Sequence, residues 1–317
     1  MKKQFHKEGS GMEIEFCQVG PNPEDPLPLD DGSVITGLDD GRLVRIGPDF
    51  TTVETIATTS GRPLGLDLAP DGRVVYCDTE LGVWACDPGT GGLEKLVDSF
   101  EGERLNFCNN PCVADDGSIW FSTSSRRHDL AHYTRDLIEN RPSGRLFHLA
   151  TDGTLTCRVD ELAFGNGVVI TADRSAVLVA ETGAQAIRRH WLTGDRAGTT
   201  DHLVEGLPGF PDNLALTPEG QVLVALPAPF TSDLERLLKL PFAARWALAR
   251  VPERLQPKAE QHLMASLYEP DGTLVASIDL TGVGFDTVTG VRVTDDWVYL
   301  GTIAHDRLAR IPRSALR

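Results

Sequence analysis

The stretch LGLDLAPDGRVVYCDTELGVWACDPGTGGLEKLV, residues 64–97, decides the fold class. Its apolar runs are separated by Gly-containing turn sequences about every eight to ten residues, which predicts four short β-strands. The first turn of this unit lies at Gly72, and equivalent turns recur along the chain at Gly32, Gly117, Asp173, Gly220 and Asp296. The intervals between successive turns are 40, 45, 56, 47 and 76 residues. Four-stranded units at this period are typical of β-propeller blades.

Six such turns predict six blades. The last unit shows only three strands, TGVRVTD, WVYLGTI and RLARIPR, whereas MEIEFCQ (12–18) forms a strand without neighbours. We therefore predict an all-β, six-bladed propeller of four-stranded blades over residues 12–317, closed by the N-terminal strand, since closure removes exposed sheet edges. A solenoid is the alternative, but its repeats are usually shorter or helical. Residues 1–11 are expected to form a disordered leader.

The interval of 76 residues, between blades five and six, contains an insertion at 231–256. Its apolar residues follow a roughly helical spacing that Pro241 and Pro252 interrupt, which predicts short helices. Two interpretations remain open for this segment. It is either a helical excursion packed on the propeller, or a lid, cavity wall or interaction surface beside the axis.

Composition excludes several classes of partner. Lys and Arg number 30 against 46 Asp and Glu, a formal charge of −16, which argues against nucleic acid and against an anionic membrane surface. No apolar stretch is long enough to span a membrane, and no signal peptide is visible, so we predict a cytoplasmic protein. The six cysteines form no CxxC pair and are expected to be reduced. The sequence does not indicate an oligomeric state.

Counting back from the first turns brings four oxygen-bearing side chains into phase. Glu24, Asn109 and Asp212 each lie eight residues before the turn of their blade, and Asn166 lies seven before its turn. Equal phase in a propeller means an equal position on the innermost strand, so these side chains should converge on the axis. Asn beside Gly is commonly a turn residue, but four such residues in phase favour a shared site.

The chemistry of this quartet predicts a hard divalent cation. Glu, Asn, Asn and Asp offer only oxygen and include no soft ligand for zinc or copper. Ca²⁺ accepts six to eight oxygen ligands in loose geometry, whereas Mg²⁺ requires a tight octahedron and is less favoured. We therefore predict one axial Ca²⁺ held by Glu24, Asn109, Asn166 and Asp212.

The sequence resembles the strictosidine synthase-like family, which includes the adipocyte plasma membrane-associated proteins. The resemblance covers about residues 20–312 and rests on RPSGRLFHL, LAFGNGVVITAD, VAETGAQAIRRHWLTGDRAGT, LPGFPDNLALTPEG and VTGVRVTDDWVYLGT. This family is grouped with regucalcin-type gluconolactonases, diisopropyl fluorophosphatase and the paraoxonases, which are six-bladed propellers, mostly with an axial calcium. The resemblance implies the same four ligands as the phase count.

Departures from the family pattern bear on the reaction. Where the family often has an Asn-Asp pair, this chain reads Asn109-Asn110, without the acidic residue. Alignment places Thr289 where plant strictosidine synthase has its blade-six glutamate, which disfavours a Pictet–Spengler condensation. Leu64 stands where paraoxonases have a blade-two histidine, which disfavours a histidine-based mechanism. The residues expected to contact the substrate are Asn110, His128, Thr289 and His305.

Metal-assisted hydrolysis of a small lactone or ester is the reaction that these residues favour. The cation would polarise a carbonyl or phosphoryl oxygen, and Asp212 would act as general base or as nucleophile. A non-catalytic, calcium-stabilised binding propeller is the alternative from another class, and a Pictet–Spengler lyase is the third. The physiological substrate does not follow from the sequence.

Overall fold

The computed structural model describes residues 13–251, 264–279, 284–285 and 287–316. The predicted leader, residues 1–11, and the last part of the predicted insertion, residues 252–256, lie outside the described residues. Within the described part of the chain, the strands form six four-stranded antiparallel sheets and one two-stranded ribbon. The six sheets are the blades of a propeller, which confirms the predicted fold class.

From blade one to blade six, the first strands of successive blades contact one another, and together they surround the axis. From blade one to blade six, these innermost strands are Leu27–Pro28, Pro63–Leu68, Cys108–Val113, Gly165–Ile170, Leu214–Leu216 and Val288–Val293. The second strands are Val34–Gly37, Val74–Asp78, Ile119–Thr123, Ala176–Glu181, Val222–Leu226 and Trp297–Thr302.

The third strands continue each sheet outward. They are Arg42–Ile46, Gly82–Cys86, Gly144–Leu149, Ala186–Trp191, Met264–Tyr268 and Arg307–Pro312. The outermost strands are Val53–Thr58, Leu93–Val97, Leu155–Leu162, Thr200–Glu205, Leu274–Asp279 and, in blade six, Glu15–Gln18. The two-stranded ribbon joins Ser99–Phe100 to Glu103–Arg104.

The core lies between the blades. The second strands are buried along nearly their whole length, because each blade packs both of its faces against neighbouring blades. Between blades two and three, for example, Val75, Phe121 and Phe147 belong to one buried cluster. This two-sided burial explains why the second strands read as continuous apolar runs rather than as alternating patterns.

The N-terminal strand closes the ring, as predicted. Glu15–Gln18 pairs antiparallel with Arg307–Pro312, and Glu15 lies opposite Arg310. The Arg310 guanidinium donates to Glu15 Oε2 at 2.7 Å, and both side chains are largely buried. A charge-assisted bond of this kind joins the two ends of the chain within one blade.

Three α-helices lie outside the blades in the described residues: Tyr133–Glu139 (α1), Ser232–Leu238 (α2) and Phe242–Leu248 (α3). Short 3₁₀ turns occupy Leu130–His132, Thr182–Ala184, Gly194–Arg196 and Arg313–Leu316. Helices α2 and α3 form in the predicted insertion and are separated at Pro241, as the pattern indicated. Helix α1 was not predicted, because its seven residues are too few to show a helical period.

The insertion packs on α1 through charged groups around Glu139, which is only 1% exposed. Arg245 donates to the Glu139 carbonyl oxygen at 2.6 Å, and Arg250 donates to its carboxylate at 2.7 Å. Arg127 binds the same carboxylate at 2.6 Å. The described part of the insertion packs on the fold as short helices, and both interpretations of its role stay predictions.

All six cysteines are free in the structure, and four of them are buried. No helix among the described residues is both long enough and apolar enough to cross a membrane.

Blade six approaches blade one so closely that two glycines are required. A Cβ atom on Gly301 or on Gly290 would overlap the backbone carbonyl oxygen of Glu24. We therefore expect Gly301→Ala to lower the free energy of unfolding by about 1–3 kcal/mol, measured by denaturant unfolding.

The matched control is Gly92→Ala, since Gly92 is exposed and its Cβ would meet only the Thr90 hydroxyl, at 3.3 Å. That substitution should change the free energy of unfolding by less than about 1 kcal/mol. Equal effects of the two alanines would contradict the close approach.

Candidate functional site

The innermost strands bulge where the phase count places the site. Blades two, three, four and six each skip two residues in the pairing with their second strand, between Pro63 and Leu66 in blade two and at equivalent points in the others. A bulge turns a side chain away from the regular ladder, and bulges are common beside active sites. The skipped residues include Asn109 in blade three, Asn166 in blade four and Thr289 in blade six.

Each blade has one residue at the phase of the quartet, which we call its axial position. In four of the six blades, a residue with a left-handed backbone lies two positions before it. The left-handed residues are Asn22, Phe107, Phe164 and Thr287, with φ between 50° and 62°. Each is followed two positions later by an axial residue, namely Glu24, Asn109, Asn166 and Thr289. Such conformations are costly for residues other than glycine and persist only where the surrounding structure requires them.

The structure brings the four predicted ligands together at one cavity. Each presents a buried oxygen that accepts no hydrogen bond from any described residue: Glu24 Oε2, Asn109 Oδ1, Asn166 Oδ1 and Asp212 Oδ1. Buried polar atoms in native proteins are nearly always paired, so four unpaired acceptors at one place indicate a missing partner.

Two hydroxyl groups determine which way the amides point. The Ser124 hydroxyl donates to the Gly165 carbonyl at 2.8 Å, so it can only accept from the Asn109 side-chain amide, also at 2.8 Å. The Thr182 hydroxyl donates to the Pro211 carbonyl at 2.7 Å and accepts from the Asn166 amide at 3.3 Å. Because a hydroxyl has one proton to give, each amide nitrogen is held there and each amide oxygen is left for the cavity.

Burial dominates the electrostatics of the two carboxylates. It raises the pKa of Glu24 to about 7, with Arg62 opposing the rise and Asp25 adding to it. Burial likewise raises the pKa of Asp212 well above its usual range, and the nearby Glu24 carboxylate adds to that shift. A divalent cation would favour the charged form of both groups, because opposite charge offsets the cost of desolvation.

The donor set fits a hard cation. Two carboxylates and two amides supply only oxygen, the ligand type that Ca²⁺ takes. In the part of the chain that the structure describes, no group of three or more His, Cys, Asp or Glu side chains is placed to hold a metal ion. The axial set differs from such groups because half of its oxygens come from Asn109 and Asn166.

A second polar layer lies behind the quartet and contains Asn110. Asp25, fully buried, accepts from the Leu66 backbone at 3.0 Å, from Arg292 at 2.9 Å and from the Asn110 amide at 3.4 Å. Asn110 therefore contacts Asp25 and not the cavity wall. Asp25 supplies a buried acidic group that Asn110 lacks, and its signal in the sequence is that it follows Glu24 as Asn110 follows Asn109.

The other predicted substrate contacts are dispersed. Thr289 lines the cavity, is 1% exposed, and its hydroxyl has no hydrogen-bond partner among the described residues. His128 Nε2 lies 3.1 Å from the Glu139 carboxylate, and the His305 ring stacks on Phe285 with 5.2 Å between centroids. His128, His305 and Asn110 are not among the described residues that line the cavity, so a substrate role for them stays a prediction.

The cavity has a volume of about 240 Å³ and a mixed wall. Leu64, Phe107 and Phe164 form a buried apolar cluster along it, and the two Phe rings meet edge to face at 5.4 Å. Leu130 and Tyr133 come from the segment around α1. Its other polar residues are Asn22, Asp39 and Arg62.

Sequence reasoning missed Arg62 and both phenylalanines as wall residues, although a signal was present. Arg62, Phe107 and Phe164 each lie two positions before the axial residue of their blade. Residues at the same offset in each repeat occupy equivalent places around the axis. The phase count that predicted the ligands could therefore also have predicted these wall residues, two positions earlier in each blade.

Comparison with known proteins shows which family the sequence is similar to. The sequence model of the strictosidine synthase family matches residues 109–195. The adipocyte plasma membrane-associated protein of Danio rerio is 33% identical over 302 residues, covering 88% of this chain and 72% of that protein. Strictosidine synthase-like protein 13 of Arabidopsis thaliana is 30% identical over 340 residues, covering 98% of this chain and 80% of that protein.

Solved structures share the fold at low identity. A gluconolactonase from Xanthomonas campestris has a TM-score of 0.70 and 17% identity, covering 96% of this chain and 90% of that one. A calcium-binding protein, regucalcin, from Agrobacterium tumefaciens has a TM-score of 0.63 and 14% identity, covering 93% of this chain and 94% of that one. The family model and the two sequence relatives show that the chain belongs to the strictosidine synthase-like family, which includes the adipocyte plasma membrane-associated proteins.

Proposed function

We propose that this protein is a calcium-dependent hydrolase that acts on small lactones or esters in the axial cavity. The observation that carries the proposal is the set of four buried, unpaired oxygens on Glu24, Asn109, Asn166 and Asp212 beside a cavity with apolar walls. Two proteins of the same fold, a gluconolactonase and a calcium-binding regucalcin, support this class of reaction and this cation.

Glu24, Asn109, Asn166 and Asp212 would hold the cation. When bound, it would act as a Lewis acid toward the carbonyl oxygen of the substrate. Ca²⁺ takes more oxygens than these four side chains supply, which leaves room for water and substrate. This arrangement provides binding and activation at one place.

Asp212 would be the residue that moves a proton. A water molecule would attack the acyl carbon while its proton passes to the Asp212 carboxylate. The bond between the acyl carbon and the ester oxygen then breaks, and the leaving oxygen takes the proton back from Asp212. The products are a carboxylic acid and an alcohol, joined in one molecule if the substrate is a lactone.

The remaining wall would orient the substrate. Leu64, Phe107 and Phe164 offer an apolar surface that limits water around the reacting group. The unpaired Thr289 hydroxyl can donate to a substrate oxygen. A threonine here also leaves a Pictet–Spengler condensation without a carboxylate at this position.

A non-catalytic, calcium-stabilised binding propeller is the second candidate. It is favoured by the raised pKa values of Glu24 and Asp212, because a cation that relieves such a site stabilises the folded state whether or not a reaction follows. Turnover separates the two candidates.

Hydrolysis should depend on the cation and on Asp212. Calcium-depleted protein screened with aliphatic lactones and phenyl acetate should be inactive and should regain activity with calcium. Asp212→Asn should lower kcat by about 10²–10⁴-fold, because it removes the proton acceptor. The exposed Asp195→Asn is the control and should keep wild-type kcat.

No turnover with calcium restored would overturn the hydrolase, whereas full activity in Asp212→Asn would overturn the proton-acceptor role of Asp212. Calcium that raises Tm without any turnover would favour the binding propeller.

Stability should depend on pH in a direction set by Glu24. Folding raises the pKa of Glu24 from the ordinary 4.5 to about 7. Glu24 therefore stabilises the folded state of the calcium-depleted protein below pH 4.5, and this stabilisation is lost as the pH rises through about 7. The Tm increase on adding calcium should therefore be larger at pH 8 than at pH 5.5. Scanning calorimetry of depleted and calcium-loaded protein measures it.

Glu24→Gln should weaken this pH dependence, since it removes one of the two buried carboxylates whose pKa is raised and leaves Asp212. An equal Tm increase at both pH values in the wild type would contradict the assignment.

Thr182 should act on the cation through Asn166. Thr182→Val removes the acceptor that holds the Asn166 amide, and calcium affinity should fall by about 10–100-fold, measured by calorimetric titration. Thr182→Ser keeps the hydroxyl and should restore the affinity, which a purely steric role would not predict. Wild-type affinity in Thr182→Val would show that the amide needs no such support.

A further inference from the structure

One cavity-lining side chain has positive charge and unused hydrogen-bond donors. Arg62 is only 9% exposed. Its Nη2 donates to the Asn22 carbonyl at 2.8 Å, and its Nε lies 3.3 Å from an Asp39 carboxylate oxygen. Its Nη1 is buried and has no hydrogen-bond partner among the described residues. A buried charged donor without a partner is costly, so a ligand is expected to complete it.

The charges around Arg62 leave the cavity able to accept an anion. Glu24, Asp39 and Asp212 are the carboxylates of the cavity wall, and Arg62 is its one cation in the described residues. A divalent cation at the quartet would bring the sum of these charges to zero. A monoanionic ligand would then meet no net repulsion and could approach the guanidinium.

The rest of the wall restricts what else the ligand contains. Leu64, two positions after Arg62 on the same chain segment, joins Phe107 and Phe164 in the apolar cluster. Leu130 and Tyr133 add further apolar surface. A ligand that fills about 240 Å³ between these groups combines one charged end with a compact hydrocarbon body.

We propose that Arg62 binds a carboxylate, and that the substrates are lactones or esters with a carboxylate group on an otherwise apolar skeleton. A single guanidinium matches the two oxygens of a planar carboxylate, whereas a phosphate dianion would exceed the positive charge available. The carboxylate-binding part stands on Arg62 and the wall, and the ester or lactone part rests on the proposed hydrolase function.

The test compares two unreactive ligands of nearly equal shape, 3-phenylpropionate and 3-phenylpropanamide, by calorimetric titration of calcium-loaded protein. The wild type should bind the acid at least about tenfold more tightly than the amide, because the acid forms a charge-assisted bond to Arg62. Arg62→Leu should bind the acid about 10–100-fold more weakly and lose the preference, and Arg62→Lys should fall between them.

Arg73→Leu is the matched control, since Arg73 is a half-exposed arginine paired with Asp71 outside the cavity, and it should bind the acid as the wild type does. Equal binding of acid and amide by the wild type overturns the proposal without any variant. A preference for the acid that survives in folded Arg62→Leu also overturns it, because the calcium alone would then hold the carboxylate.

Hydrolysis of monophenyl succinate and of its neutral methyl ester separates this proposal from the one on which it rests. If neutral esters are hydrolysed but the acid shows no binding preference, the carboxylate site is wrong and the hydrolase stands. If the acid binds through Arg62 but no ester or lactone is hydrolysed, the hydrolase is wrong and the carboxylate site stands.

Discussion

Four buried oxygens that accept no hydrogen bond meet at the axis of this propeller, on Glu24, Asn109, Asn166 and Asp212. Desolvation makes such a group costly, and each unpaired buried polar atom costs about 1–3 kcal/mol. The surrounding structure is arranged to keep these atoms unpaired. Bulges interrupt the innermost strands at this level, and left-handed residues precede three of the four positions. A fold that maintains this arrangement is what we expect if a bound cation completes the site, as proposed.

The support behind the quartet is as specific as the quartet itself. Ser124 and Thr182 each bridge an amide to a carbonyl of the next blade, so that the orientation of Asn109 and Asn166 depends on contact between blades. Beneath them, Arg292 joins the Asp25 carboxylate to the Leu66 carbonyl at 2.9 and 2.6 Å. Sites that lie on packed strands, and whose side chains are held by hydrogen bonds from residues behind them, keep their geometry better than sites built on loops.

The phase count could find the ligands because a propeller converts an equal offset in the repeat into an equal place around the axis. Alignment with the family drew attention to Thr289 and Leu64, and both residues line the cavity. The closure by Glu15–Gln18 followed from a strand that lacked neighbours. These successes rest on local patterns, which the sequence displays directly.

Contacts between residues that are distant in the sequence could not be predicted from it. Asp25 and Arg292 are separated by 267 residues, and no local pattern pairs them. His128 sits beside Glu139 because a seven-residue helix and the insertion meet there, and neither position was fixed by periodicity. The donors of Arg62 are left free by the detailed geometry of Asn22 and Asp39, which only coordinates reveal.

A crystal structure of the calcium-loaded protein, with anomalous data collected at long wavelength, tests the axial cation most directly. The account predicts one anomalous peak at the axis, about 2.3–2.6 Å from the side-chain oxygens of Glu24, Asn109, Asn166 and Asp212. No peak there at saturating calcium, with these four side chains turned to hydrogen-bond one another or ordered water, would contradict it.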